Sequence, residues 1–227
     1  MSAQGAFKIT EEFERLLCQY TGAPYAVAVD NCSNALFLAL TWHRAAGKEI
    51  TIPARTYPSV PCEVIHAGGT VRFSGLEDDG GHLTGAYRLK PLNVWDSALW
   101  FSADMFPILQ ARQPIAFHGE PNPCAVCLSF TGPYKQLKLG KGGAILTDSA
   151  EAAAWYKRAR FSGRRECSYH DDDFDMLGWN FYLPVETAAR GVHLMSEFLR
   201  ADYRKTNPPL RLPFPDLSKC KVYGGEE

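Results

Sequence analysis

Apolar positions fall into two periods along this chain. Short, largely apolar runs at Tyr25–Val29, Ile50–Ile52, Thr70–Phe73, Leu92–Trp95, Pro114–Phe117, Ala125–Phe130 and Gly143–Thr147 have the length of buried strands. Helical spacing lies between them. Thr10 is placed to cap a helix with Phe13, Leu16, Leu17 and Tyr20 at i, i+3, i+4 and i+7, and Gly22 ends it. Ser33 opens a second apolar helix running to Trp42. Pro61–Ala67 reads as a third, closed by Gly68 and Gly69. Asp148 and Glu151 form a capping-box-like start to a helix reaching about Arg160. Pro184 suits the first turn of a last helix carrying Val185, Ala188, Ala189, Val192, Met195 and Phe198.

Strands alternating with helices predict an α/β fold with a mostly parallel central sheet sandwiched by helices. One domain over residues 1–206 is expected, followed by an arm or disordered tail over 207–227, where four prolines interrupt any period. Leu76–Tyr87 is acidic and Gly-rich and reads as loop. Ligands in such sheets bind beyond the carboxyl ends of the strands. Asn31–Ser33, Arg55–Tyr57 and Asp96 all follow predicted strands, so they are expected at that edge.

Composition changes this picture little. The chain has 227 residues, a net charge of −1 and 46% hydrophobic residues, enough for one sizeable core. The balanced charge leaves no footprint for nucleic acid or acidic membranes. The one basic cluster, Lys157–Arg165, reads as a solvated helix end, with a local nucleic-acid contact as the weaker alternative. No apolar run approaches the roughly 20 residues that span a bilayer, and the first residues lack a signal-peptide pattern. Seven irregularly spaced cysteines are expected as reduced thiols in the cytoplasm. The pair Cys124 and Cys127 has metal-ligand spacing, but it lacks a second pair and sits in a strand pattern, so packing is the simpler reading.

The candidate chemistry centres on Ser129–Thr147. A strand ending at Ser129 and Phe130 leads into a loop with Lys135, then Gly140-Lys141-Gly142-Gly143 and a second strand. Burial between strands lowers a lysine's pKa and frees its amine for Schiff-base chemistry. The alternative is a surface loop with solvated lysines. The stretch resembles the Ser-Phe-x-x-x-Lys-x-Leu-x-x-Gly-Glu-Gly-Gly signature of the DegT-type sugar aminotransferases. These are pyridoxal-phosphate (PLP) enzymes of the aspartate-aminotransferase fold, fold type I. Further landmarks follow in family order from Tyr25 to about Arg204.

The resemblance implies a role for each landmark. Lys135 would be the Schiff-base lysine, counted back from Gly142 and Gly143. One extra residue separates it from Ser129, which leaves Lys138 and Lys141 as alternatives. Cys32 and Ser33 occupy the Gly-Thr positions of the turn that holds the cofactor phosphate, and Ser129 matches a serine donating to the same phosphate. Read alone, Ser33 is a helix cap. Tyr57, in Thr56-Tyr57, matches the aromatic that stacks on the pyridine ring, and alone would be a packing residue. Asp96 matches the aspartate paired with the protonated pyridine nitrogen. Asn180 matches an asparagine that reaches the phosphate of a neighbouring subunit, so a homodimer with shared active sites is implied.

The chain departs from the family pattern at several positions. Leu99 replaces a glutamine beside the aspartate, Lys141 a glutamate, and Tyr182 an arginine. The family's dehydratase branch carries histidine in place of the lysine, so Lys135 favours transfer of an amino group. The segment before Asp96 is compressed, and the family's C-terminal small domain is largely absent from this sequence. A more open site is therefore expected, acting on a small molecule or on a bulkier substrate such as a modified nucleotide. Decarboxylase or lyase chemistry uses the same cofactor cradle. A non-catalytic binding protein is the remaining alternative.

Overall fold

The computed structural model describes residues 3–75, 85–112, 122–133, 135–201 and 214–223. Six helices and seven strands are found among them: α1 Ala3–Thr21, β1 Tyr25–Val29, α2 Cys32–Trp42, β2 Glu49–Pro53, α3 Ser59–His66, β3 Thr70–Ser74, β4 Tyr87–Leu89, β5 Val94–Ser97, α4 Met105–Gln110, β6 Ala125–Ser129, β7 Gly143–Thr147, α5 Ala150–Ala159 and α6 Val185–Arg200. The predicted strand at Pro114–Phe117 lies outside the described residues, as does most of the predicted loop at Leu76–Tyr87.

A five-stranded sheet runs β1-β7-β6-β5-β4, and β2 and β3 pair separately. Successive side chains of a strand point to opposite faces, so each strand feeds two cores. Ala26, Ala28, Val126, Leu128, Ala144 and Leu146 pack against α1, α4 and α6. Val27, Val29, Cys127 and Ile145 pack against α2 and α5 on the other face. The result is the expected α/β sandwich. All seven cysteines are free, with Cys124 and Cys127 buried at β6. No helix among the described residues is long and apolar enough to cross a membrane.

The expectation of a mostly parallel sheet needs correction at the level of pairing. β5–β6 and β2–β3 are parallel, whereas β1–β7, β6–β7 and β4–β5 are antiparallel. For strands adjacent in sequence the connections account for this, because a parallel pair needs a crossover of a dozen or more residues, usually helical. Only Lys90–Asn93 separates β4 from β5, and a non-helical loop joins β6 to β7.

Three local expectations are also corrected. Thr10 lies fully buried inside α1 and does not start it. Asn31 rather than Ser33 caps α2, its side chain accepting the Asn34 N–H at 2.8 Å. Ser149 rather than Asp148 caps α5, accepting the Ala152 N–H at 3.1 Å. Asp148 instead accepts the Cys124 N–H at 2.8 Å.

The basic cluster is not a solvated helix end. Arg160 is fully buried; it donates to Glu14 and to the Ala28 carbonyl, and to Glu166 at 2.7 Å. Glu14 also accepts the Ala28 N–H at 2.9 Å. β1 is an edge strand with outward backbone groups to satisfy, and this ion pair satisfies those of Ala28. Arg158 pairs with Asp175, Arg165 with Asp173, and Arg164 lies over the ring of Tyr169. The Glu14 counter-charge comes from distant sequence, which is why local composition misreads Arg160.

Residues 214–223 form two 3-10 turns, Leu217–Lys219 and Lys221–Tyr223, laid over the loop after β2. Leu217 is buried and its N–H donates to the Ala54 carbonyl at 2.9 Å; Arg55 donates to the Phe214 carbonyl at 3.0 Å. The remainder of the predicted tail lies outside the described residues.

Candidate active site

A cavity of about 310 Å³ opens where β1, β5 and β6 end. Lys135, Asp96, Cys32, Ser33, Tyr57 and Ser129 all line it. Each is delivered by a strand end or the loop that follows. Asn180 does not join them; it is exposed and bridges Phe161 across the segment covering the β1 edge.

Lys135 reaches the cavity from the β6–β7 loop, and its Nζ donates to the Ala98 carbonyl. Burial pushes its pKa down, opposed by the nearby Asp96. The other candidate lysines turn elsewhere. The Lys141 Nζ lies 3.6 Å from an Asp30 carboxylate oxygen. Lys138 is exposed, and its carbonyl accepts from Arg190 at 3.2 Å.

Asp96 is the acidic group of the cavity and is only 4% exposed. Its Oδ1 accepts the Ala98 N–H at 2.9 Å, and its Oδ2 accepts the Tyr87 hydroxyl at 2.7 Å. A buried carboxylate is tolerable only when such partners replace water.

The β1–α2 turn forms the anion-compatible wall. Helix α2 begins at Cys32, and its first intrahelical bond runs from the Ala35 N–H to the Asn31 carbonyl at 3.2 Å. The amides of Cys32 and Ser33 stand at the open helix end, where the dipole favours negative charge. The Ser33 hydroxyl donates to Ser59 at 2.7 Å. Burial and the Asp96 charge push the Cys32 thiol far up, so it stays protonated. Gly143 makes the turn possible: a Cβ there would lie 2.6 Å from the Asn31 carbonyl carbon and 2.8 Å from the Cys32 nitrogen.

Two further residues line the cavity, and of these Phe214 escapes the sequence reading. Leu99 lines the wall where the family pattern has glutamine. Phe214, from the predicted tail, lines the mouth edge-on to Tyr57, with ring centroids 6.1 Å apart. Tyr57 itself is 58% exposed and therefore stands at the rim.

Residues 4–86 match the model of the DegT/DnrJ/EryC1/StrS aminotransferase family. That part of the chain is similar to these aminotransferases. It is 34% identical over 154 residues to the Bacillus subtilis spore coat polysaccharide biosynthesis protein SpsC, covering 67% of this chain and 34% of that protein. It is 24% identical to a Campylobacter jejuni UDP-4-amino-4,6-dideoxy-N-acetyl-beta-L-altrosamine transaminase, covering 84% of this chain. The chain thus spans 57% of that relative's length. Among solved structures, 3-amino-5-hydroxybenzoic acid synthase superposes with a TM-score of 0.63 at 20% identity, over 86% of this chain and 56% of that one. Helicobacter pylori PseC, an aminotransferase of pseudaminic acid biosynthesis, superposes with a TM-score of 0.60 at 17% identity, over 86% and 58%. These superpositions show a fold shared with those two proteins.

Proposed function

We propose that this cavity holds pyridoxal phosphate and that the protein transfers an amino group to or from a keto carbon. The observation that carries the reading is that a lysine amine with a lowered pKa and a buried carboxylate line one cavity beside an open helix end. The donor set fits the group. The amides of Cys32 and Ser33, with the hydroxyl of Ser129, suit a phosphate. Asp96 suits a protonated ring nitrogen. Tyr57 offers an aromatic face at the rim.

When bound, pyridoxal phosphate supplies an electron sink that stabilises the carbanion formed as the amino group moves. The residues of this chain do the rest. Lys135 is held by Ala98, and its burial raises the neutral fraction of the amine, which acts as the nucleophile toward a carbonyl. The same amine, when not bonded to the group, would be placed to take up and give back a proton at the reacting carbon. Asp96 would hold positive charge on the ring nitrogen in a dry site, where such a pairing is strongest.

The substrate we infer is a keto sugar carried on a nucleotide, supported by the transaminase activity named for the Campylobacter relative. We further infer a homodimer in which Asn180 of one subunit completes the site of the other; its exposed position on the segment covering β1 is compatible with that role. The test is an assay of PLP-loaded protein with glutamate and a 4-keto nucleotide sugar, with product mass as the readout. Formation of the amino sugar that is lost in Lys135→Ala supports the reading. Release of carbon dioxide or an elimination product would replace it with lyase chemistry.

A further inference from the structure

Asp96 is held from behind by residues that do not line the cavity. β4 and β5 pair antiparallel with Tyr87 directly opposite Asp96, so the two side chains are neighbours on one face. The short Lys90–Asn93 turn fixes that register. The buried Tyr87 hydroxyl donates to Asp96 Oδ2 at 2.7 Å. Its oxygen in turn touches the buried Thr56 hydroxyl. Because Tyr87 spends its proton on Asp96, Thr56 is the donor to Tyr87. Thr56 adjoins Tyr57, so the chain of bonds ties the rim to the carboxylate.

The groups around Asp96 are complementary to it. Tyr87 faces it from β4, Cys127 from β6, Cys32 from α2 and Lys135 from the β6–β7 loop. Burial drives the phenol and both thiols well above neutrality, so all three remain protonated and none opposes a negative Asp96.

We propose that Tyr87 is the positioning residue for Asp96: its hydroxyl, braced by Thr56, fixes the carboxylate, charged and in one orientation, for a cationic ring nitrogen in the cavity. The inference rests on the cofactor reading above. The role differs from packing because the carboxylate has rotational freedom about its last bond and two oxygens to present. With Oδ1 on Ala98 and Oδ2 on Tyr87, that rotation is stopped. Removing one charge-assisted bond leaves a buried carboxylate under-satisfied and free to turn.

The test compares two probes on Tyr87→Phe: pyridoxal phosphate, and its 1-deaza analogue with carbon in place of the ring nitrogen. Dissociation constants are measured by equilibrium dialysis, with no substrate present. The expected result is about tenfold weaker binding of pyridoxal phosphate, with binding of the deaza analogue unchanged. A merely structural role would weaken both alike, and that outcome overturns the proposal, as does no change in either. Thr56→Val repeats the test should Tyr87→Phe fold poorly, with a smaller selective loss expected. Wild-type protein that binds neither probe would defeat the cofactor reading itself.

Discussion

Gly143→Ala tests whether the turn at the head of α2 is set by close approach to β7. Gly143 starts β7, paired with Val29 on one side and Ser129 on the other. An added Cβ would meet Asn31 C at 2.6 Å, Asn31 O at 2.8 Å and Cys32 N at 2.8 Å. Such contacts essentially never fall below 3.0 Å, so the turn must retreat by at least ~0.4 Å. All three atoms are backbone, so no side chain can swing away. Overpacking of this kind costs about 1–3 kcal/mol. For a chain of this size that lowers Tm by roughly 2–12 °C. The functional loss should exceed the stability loss, because the displaced amides of Cys32 and Ser33 are the proposed phosphate donors. Differential scanning fluorimetry and PLP titration of the variant, beside Gly75→Ala as a control with nothing within 4 Å of its Cβ, provide the readouts. Unchanged Tm together with unchanged PLP affinity in Gly143→Ala would refute the close-approach argument.

Other perturbations probe separate parts of the account. Arg160→Met removes the buried partner of Glu14 and leaves it Lys157, 3.3 Å away, so it should cost about 1–3 kcal/mol in urea unfolding, whereas a solvated Arg160 would cost almost nothing. His43, at the end of α2, has its pKa pushed down to about 4 by burial and by the Lys48 charge. The unfolded chain therefore takes the proton first, and this part of the stability is complete above about pH 6.5 and lost as pH falls toward 4. It amounts to roughly 2–3 kcal/mol, so the gap between wild type and His43→Gln should shift by that much across this window, and a constant gap would count against it. If sites are shared, mixing inactive Lys135→Ala and Asn180→Ala chains should restore part of the activity, and no recovery in a mixed dimer would exclude sharing.

The parts of the site carried by strand ends were legible in the sequence. Lys135, Asp96, Ser129 and the Cys32–Ser33 turn each follow a dense apolar run, and strand ends in an α/β sheet converge on one edge. Tyr87 was not legible. Its strand has only three residues and exists because a tight turn pairs it with β5, a tertiary cause with no period of its own. Phe214 was hidden for a related reason: a proline-rich stretch has no helical or strand signal, and the order of 214–223 comes from contacts to Ala54 and Arg55. The basic cluster was misread because Glu14 lies 146 residues from Arg160. The caps of α2 and α5 moved by one or two residues because Ser, Thr, Asp and Asn compete for the same position at a helix start, whereas α1 begins well before Thr10.

Covalent trapping at the lysine tests the central claim most directly. The protein is incubated with pyridoxal phosphate, reduced with borohydride, digested and mapped by mass spectrometry. The account predicts one pyridoxyl group on the peptide carrying Lys135, whose amine faces Asp96 across the cavity while Lys141 is engaged with Asp30. A label on Lys138 or Lys141, or no label after a spectroscopically saturating dose, would contradict it.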